Sequence, residues 1–206
     1  MDYYEAVRHV KECGCLPEGF DQWELRNSFG ETIAHKLAVH GFLPEGFTQW
    51  DLANEDGYTV AHAAAFGGYL PKGFNQWDLG SSTGWTVAHE AAKYGRLPDD
   101  FNQWKLMDSQ GRTVAHAVAY WGYLSEDFDQ WHLLSKQGDT VAHQSLYYRA
   151  LPEWFDQWHL KNQKGETVFE TMVRYDKIPK WFKDWDLVIT DDGETCREVY
   201  ERIRKQ

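Results

Sequence analysis

One nine-residue segment recurs along the chain at an interval of 27 residues, and this recurrence restricts the fold more than any other feature of the sequence. Five close copies read GETIAHKLA, GYTVAHAAA, GWTVAHEAA, GRTVAHAVA and GDTVAHQSL, starting at Gly30, Gly57, Gly84, Gly111 and Gly138. Looser copies, GETVFETMV and GETCREVYE, start at Gly165 and Gly193. A fixed period of about 20 to 50 residues is typical of stacked repeats, in which each unit covers the apolar face of its neighbour. The chain is therefore predicted to be a repeat array.

The array is predicted to form one domain with three parts. Residues 1–15 are an N-terminal capping helix, residues 16–177 are six 27-residue repeats, and residues 178–206 are a degenerate C-terminal capping repeat. Asp2 and Glu5 have the spacing of a helix capping box, which supports the N-terminal helix. Because 42% of the residues are hydrophobic, the chain can bury a substantial core and is predicted to be folded.

Each repeat begins with Leu-Pro or a close variant and continues with Phe, Trp and Leu at offsets four, seven and nine. Pro is favourable at the first position of a helix, and a Phe and a Trp three residues apart share one helix face. The segment is therefore predicted to form a short helix of about two turns with these side chains buried. This interpretation places the tryptophans in the core rather than in a ladder for bases or sugars. They are Trp23, Trp50, Trp77, Trp104, Trp131, Trp158 and Trp185.

The second half of each repeat is a polar turn ending in Gly, followed by a Thr that is predicted to start a second helix. The Thr hydroxyl can cap this helix, and the His three residues later can reach back to its start, as the Glu of a capping box does. Glu170 and Glu198 replace this His in the last two repeats and give the ordinary form of the box. A Gly near the helix end is predicted to be left-handed, whereas Arg149 and Asp176 replace it later and predict less regular ends.

The pattern G-x-T-V-A-H-x-A-A-x-x-G resembles the ankyrin repeat, whose usual form is G-x-T-P-L-H-x-A-A-x-x-G, over nearly the whole chain. It departs from that family in its shorter period, against about 33 residues in ankyrin repeats, and in the reduced L-P-x-x-F-x-x-W segment. Similar short units resemble arrays in bacteria and their phages. The resemblance implies an all-α, ankyrin-like helical repeat solenoid of about seven units with helix pairs, loop or hairpin connections and the N-terminal capping helix. It also implies a concave surface that binds proteins, and no catalytic activity.

The five histidines of the repeated segment are interpreted as helix caps and not as metal ligands. Stacked helices lie about 8–10 Å apart, whereas ligands about 2 Å from one metal ion must lie much closer together. These residues are His35, His62, His89, His116 and His143. No metal or other cofactor is predicted.

No sequence motif indicates an enzyme. The chain contains no G-x-S-x-G, no glycine-rich phosphate loop and no H-E-x-x-H, and its acid pairs are interpreted as solvated surface. Cys13, Cys15 and Cys196 are interpreted as reduced and structural. No run of 18 apolar residues is present, and the N-terminus lacks the apolar core of a secretory signal, so the predicted location is the cytoplasm of the producing or host cell.

The net charge of −11 disfavours nucleic acid and membrane surfaces, which carry charge of the same sign. The predicted partner is therefore another protein with a basic or aromatic-accepting surface. The predicted role is a protein-binding module that acts as an adaptor or as an occluding inhibitor, for instance a phage inhibitor of a host defence enzyme.

Partner-binding residues are expected where the repeats differ, because stacking fixes the other positions. Aromatic residues and Arg most often dominate interface energy. Trp121 is expected to be largely exposed, whereas Trp104, at a fixed position, is expected to be buried. The alternative, that Phe66, Tyr120 and Tyr147 only close the core, stays open. The predicted binding residues are Phe29, Tyr58, Phe66, Trp85, Lys93, Tyr94, Arg112, Tyr120, Trp121, Tyr147 and Tyr148.

A second hypothesis is an acidic mimic of nucleic acid that blocks a DNA- or RNA-binding protein. Glu24, Asp51 and Asp78 occupy one repeat position and could line one face. Their expected separation of about 8–10 Å fits poorly with the spacing of about 3.4 Å between phosphates along a strand.

Overall fold

The computed structural model describes residues 1–205, which form eight α-helices and, apart from isolated bridges, no β-strand. The helices are α1 (Tyr3–Cys13), α2 (Ile33–His40), α3 (Val60–Gly67), α4 (Val87–Lys93), α5 (Val114–Trp121), α6 (Val141–Tyr148), α7 (Val168–Arg174) and α8 (Cys196–Arg204). Residues 1–110 form one compact unit, called unit 1, and unit 2 begins at Gly111. In each unit, consecutive helices pack against one another. The predicted all-α repeat solenoid is confirmed. Gln206, in the predicted C-terminal cap, lies outside the described residues.

The N-terminal helix α1 begins as predicted. The Asp2 side chain accepts a hydrogen bond from the Glu5 backbone N–H, and the Glu5 carboxylate accepts one from the Asp2 N–H, both at 2.8 Å. Tyr3, Ala6 and Val10 are buried against α2, while the rest of the helix is mostly exposed. This one-sided burial suits a terminal capping element.

The predicted Thr caps are confirmed at every later helix. In α3, the Thr59 hydroxyl accepts from the His62 backbone N–H, and His62 Nδ1 accepts from the Thr59 N–H at 3.2 Å. In α7, Glu170 takes the place of the His and accepts from the Thr167 N–H at 2.8 Å. Each box satisfies N–H groups that the first helical turn leaves unpaired.

The Leu-Pro segment is not a helix, so the predicted helix pair per repeat is wrong. It forms successive turns, in which the Phe20 N–H donates to the Pro17 carbonyl at 3.1 Å and the Leu25 N–H to the Gln22 carbonyl at 3.2 Å. A short 3₁₀ helix occurs in the fifth repeat, at Gln130–His132.

The carbonyls of this segment explain why it does not form a helix. Leu25 O accepts from the Ile33 N–H at 2.7 Å, and Trp23 O accepts from the Ala34 N–H at 3.4 Å. The segment therefore binds the first-turn N–H groups of the following helix, which a helix start otherwise leaves unpaired. The same pair of bonds recurs in later repeats, for example Leu160 O with the Val168 N–H at 2.9 Å.

The Phe and Trp side chains of the turn segments form a ladder of edge-to-face contacts. In unit 1 the ladder runs from Phe20 to Trp104 with ring centroids 5.0–5.7 Å apart. In unit 2 it runs from Phe128 to Trp185 at 4.7–5.1 Å. Edge-to-face pairs at this distance contribute beyond the burial of their surface. The ladder stabilises the stack on the side where a second helix was predicted.

The ladder tryptophans are not all buried as predicted. Trp77, Trp131 and Trp158 are at most 7% exposed, which confirms the prediction at these positions. Trp104 is half-buried, so its predicted burial is wrong, and three others are half-buried as well. The turn segments leave part of each of these rings exposed to solvent, whereas the predicted helix would have covered it. The other three are Trp23, Trp50 and Trp185.

Glycine ends several helices in the predicted left-handed conformation. The residue that follows α2, α3 or α5 is a Gly with φ between 73° and 83°, which L side chains rarely adopt. In the third repeat the cap is Tyr94, and Gly95 follows it with φ 65°. The predicted irregular end is present at Arg149, which is extended, while Asp176 takes the left-handed conformation without Gly at φ 53°.

Candidate protein-binding surface

Tyr58 and Trp85, on successive polar loops of unit 1, are brought together by a buried carboxylate. Glu90, on α4, is 5% exposed. It accepts the Tyr58 hydroxyl at 3.0 Å and Trp85 Nε1–H at 2.7 Å. Burial, and then the charge of Glu90, raise the pKa of Tyr58 well above its ordinary value. Both aromatic rings are therefore held in place before any partner arrives.

The backbone at the same two positions is held by the capping histidines. His35 Nε2 lies 2.7 Å from Tyr58 O, and His62 Nε2 lies 2.8 Å from Trp85 O. A carbonyl oxygen can only accept, so Nε2 carries the proton, and Nδ1 is left to accept from the Thr hydroxyl 2.6–2.7 Å away. Each histidine thus binds the capping Thr of its own helix and the variable loop residue of the next repeat, and His62 also completes a capping box. The sequence indicated the first role and missed the second.

The C-terminal ends of α3 and α4 bring together three more predicted residues. The Phe66 ring, 41% exposed, meets the half-buried Tyr94 ring edge-on with centroids 5.1 Å apart. Lys93 Nζ lies 4.9 Å from the centre of the Tyr94 ring. Arg96 packs near the same ring and donates from Nη1 to the Ala65 carbonyl at 3.2 Å, so it joins this surface although its sequence position gave no signal.

In unit 2 the equivalent helix ends carry a larger aromatic surface, which we call the helix-end patch. Tyr120 contacts Trp121 at 4.9 Å and Tyr148 at 4.6 Å, and Tyr147 contacts Tyr175 at 5.3 Å. The four tyrosines are 37–58% exposed. Burial, and then the charge of a loop carboxylate, raise the pKa of Tyr147 to about 12. The patch comprises Tyr120, Trp121, Tyr147, Tyr148 and Tyr175, of which the sequence analysis missed the last.

Two cations that the sequence analysis also missed lie at the helix-end patch. Arg149 Nε donates to Tyr120 O at 3.0 Å, and Lys177 Nζ donates to Tyr147 O at 3.2 Å and to Leu146 O. Both therefore bind carbonyls at the C-terminal end of the preceding helix, where the helix dipole favours positive charge. The only signal for Arg149 was that it replaces the helix-ending Gly.

The remaining predicted residues differ from one another in exposure. Phe29 is 84% exposed at the tip of the first loop, and Arg112 is half-buried. Trp85 and Trp121 are also half-buried, so the expectation that Trp121 is largely exposed is wrong. Each ring contacts a residue of its own repeat, Trp85 with centroids 5.0 Å from His89 and Trp121 with centroids 4.9 Å from Tyr120.

Residues 1–205 contain no cluster of His, Cys, Asp or Glu that could hold a metal ion. At His35, His62 and His143 both ring nitrogens already have hydrogen-bond partners. Within the described part of the chain, no helix has the length and apolar character needed to cross a membrane.

The sequence matches no model of a known protein family and no curated protein. The structure does resemble solved proteins. The ankyrin repeat domain of Bcl-3, a unique member of the IkappaB protein family, aligns with a TM-score of 0.59 and 15% sequence identity. The alignment covers 86% of this chain and 100% of that domain. At this identity the likeness shows an ankyrin-like fold and nothing about a partner.

Proposed function

We propose that this chain is a non-catalytic protein-binding module that acts as an adaptor or an occluding inhibitor of a partner protein. The observation that carries the proposal is the helix-end patch, in which four tyrosines are 37–58% exposed and form two ring pairs, Tyr120 with Tyr148 and Tyr147 with Tyr175. Large contiguous exposed apolar surfaces on a soluble protein mark interaction sites, and Tyr, Trp and Arg are the residues that dominate them. The resemblance to ankyrin repeats supports the same function.

The proposal involves one surface on each unit. In unit 1 the residues are Phe29, Tyr58, Phe66, Trp85, Lys93, Tyr94 and Arg96, and in unit 2 they are Arg112, Tyr120, Trp121, Tyr147, Tyr148, Arg149, Tyr175 and Lys177. Tyr58 and Trp85 would contribute rigid anchors, because Glu90 fixes their rings and the histidines fix their backbone. Fixed aromatic side chains lose little conformational entropy on binding. Inhibition of a host defence enzyme by a phage protein is the specific form that we propose to test first.

The test is a pull-down from bacterial lysate with the full chain as bait. The variant carries Tyr120→Ala and Tyr148→Ala, and a matched control carries Tyr4→Ala, which removes a ring that is 63% exposed on α1. A partner retained by wild type and by the control but lost by the variant supports the function. Retention by all three baits, or by none, contradicts it.

A nucleic-acid mimic is the second candidate. It is favoured by Glu24, Asp51 and Asp78, which are exposed at one repeat position of unit 1. Competition with DNA for a basic nuclease, weakening steeply as salt is added, would support this candidate over the first. Replacing all three carboxylates by amides should then abolish competition. If competition persists, these three residues are not the nucleic-acid mimic.

A further inference from the structure

We infer that the helix-end patch of unit 2 recognises an acidic peptide segment, and not the basic surface that the net charge of the chain favours. The inference rests on the proposed protein-binding function and names the chemistry of its partner. Its basis is the charge that surrounds the patch, which differs from the charge of the chain as a whole.

The chain carries a net charge of −11, but its two units share this charge unequally. Residues 1–110 contain 16 acidic and 8 basic side chains, whereas residues 111–206 contain 16 acidic and 13 basic side chains. The acidic surplus therefore belongs mainly to unit 1. Exposed charges farther than about 10 Å from a bound partner are largely screened at 0.1 M salt, so the charged side chains nearest to the patch have the greatest influence on a partner there.

Arg149 supplies the first recognition element. Its guanidinium lies flat against Gly122, close enough that a Cβ on that Gly would come within 2.8 Å of Cζ. Only Nε has an acceptor among residues 1–205, the carbonyl of Tyr120, so Nη1 and Nη2 keep their N–H groups for a ligand. Two parallel N–H groups on one guanidinium match the two oxygens of a carboxylate.

Lys177 supplies the second element, one repeat along the stack. Its ammonium group binds the carbonyls of Leu146 and Tyr147, which accounts for two of its three N–H groups. Tyr147 and Tyr148, in the last turn of α6, offer exposed rings for apolar contact. A peptide lying across the helix ends would place carboxylates on the cations and apolar side chains on the tyrosines.

The carboxylates near the patch do not cancel these two cations. Asp176 pairs with Arg204, and Glu166 accepts Arg174 Nε at 2.7 Å. These two acids are therefore neutralised within the chain, with partners from α7 and α8.

The charge of Asp139 also reaches the patch, where it contributes to the raised pKa of Tyr147. This residue precedes the N-terminus of α6, whereas Arg149 follows the C-terminus of the same helix. Asp139 therefore lies at the opposite end of α6 from the two cations and does not pair with them.

The test uses the full chain against two libraries of short displayed peptides that share the same apolar positions. One library places Asp or Glu at the remaining positions, and the other places Lys or Arg there. We expect enrichment from the acidic library only. Affinities of the recovered peptides are then measured by fluorescence polarisation at low and high salt, and binding should weaken as salt rises.

Two variants and two controls assign the peptides to the patch. Arg149→Glu and Tyr148→Ala should each weaken an acidic peptide on the order of tenfold or more. Arg8→Glu and Tyr4→Ala change the same residue types at exposed positions of α1 and should leave affinity within about twofold. A peptide with its contacting Glu replaced by Lys should bind Arg149→Glu better than wild type. Urea midpoints of all variants are compared, and Tyr148→Ala, which removes only an exposed ring, carries the test if Arg149→Glu is unstable.

Enrichment from the basic library overturns the inference, as does equal binding of acidic peptides by wild type and the patch variants. Failure of both libraries overturns it too. The proposed protein-binding function then still stands or falls on the lysate pull-down, which depends on no assumption about the charge of the partner.

Discussion

Mild acid should unfold this protein, because its buried histidines can keep both of their hydrogen bonds only when the ring is neutral. Burial lowers the pKa of His35, His62 and His143 below the value of 6.5 that an unperturbed histidine has. Protonation would add a proton at Nδ1, which would then face the Thr hydroxyl and backbone N–H, both of which donate to it in the neutral form. The positive charge would also lie at a helix N-terminus, where the helix dipole disfavours it. These histidines therefore bind a proton less readily in the folded protein than in the unfolded chain.

The sign and size of the effect follow from linkage. The folded pKa is the lower one, so the unfolded chain takes up protons first, and stability falls as the pH drops below about 6.5. A histidine that stays neutral in the folded protein costs up to about 2 kcal/mol of stability between pH 6.5 and pH 5. Three such residues give up to about 6 kcal/mol, which is comparable to the entire stability of many domains.

Urea unfolding followed by tryptophan fluorescence at several pH values between 5 and 7.5 measures this loss. His62→Gln keeps a donor and an acceptor but cannot titrate, so its stability should vary less with pH, by up to about 1.4 kcal/mol per pH unit below pH 6.5. His132→Gln, at an exposed position outside the repeated segment, is the matched control for the change of residue type. A wild-type stability that changes by less than about 1 kcal/mol between pH 7 and pH 5, or a His62→Gln slope equal to that of wild type, refutes the reasoning.

Three further predictions concern stability and are measured by the same urea titration. Trp131→Ala removes a ring that is 1% exposed and should cost about 3–5 kcal/mol, whereas Trp154→Ala removes one that is 36% exposed and should cost about 1 kcal/mol or less. Gly57→Ala should destabilise more than Gly19→Ala, since both have positive φ but only at Gly57 would the new Cβ lie 2.7 Å from backbone. Tyr58→Phe should cost about 1–3 kcal/mol, because a buried carboxylate loses a donor.

The parts of the fold that could be predicted from the sequence depend on partners close together in the chain. A Thr cap and its His or Glu lie three residues apart, so the pattern alone was enough to predict the boxes at Thr59 and Thr167. The turn segments could not be predicted this way, because Leu25 and Trp23 bind N–H groups eight and eleven residues later. A Phe and a Trp three residues apart fit one face of a helix and equally fit a ladder between repeats.

The same distinction explains what was missed in the candidate surface. Glu90 and Tyr58 lie 32 residues apart, and Arg149 and Tyr120 lie 29 apart, so each contact crosses from one repeat to the next. Variability between repeats marked Tyr58, Trp85 and the helix-end tyrosines, but it could not show which residue holds them. It also gave no measure of exposure, which is why Trp121 was expected to be more exposed than it is.

The repeated histidine separates the positions that build the scaffold from those that are free to vary. Its Nε2–H binds a backbone carbonyl, at Tyr58, Trp85, Asp139 and Glu166, and a backbone carbonyl is the same whatever side chain follows it. The loop backbone is therefore held in the same way in each of these repeats, although the side chain at this position differs between them, from aromatic to acidic. At the last interface the link is made differently: Glu170 replaces the histidine and binds Arg202 of α8 at 3.1 Å, and Arg202 also binds Glu194 at 2.9 Å. That link needs a particular side chain at each end, so it fixes residues that the histidine repeats leave free. Such a link suits a capping repeat, and the proposed binding residues accordingly lie in the repeats before it.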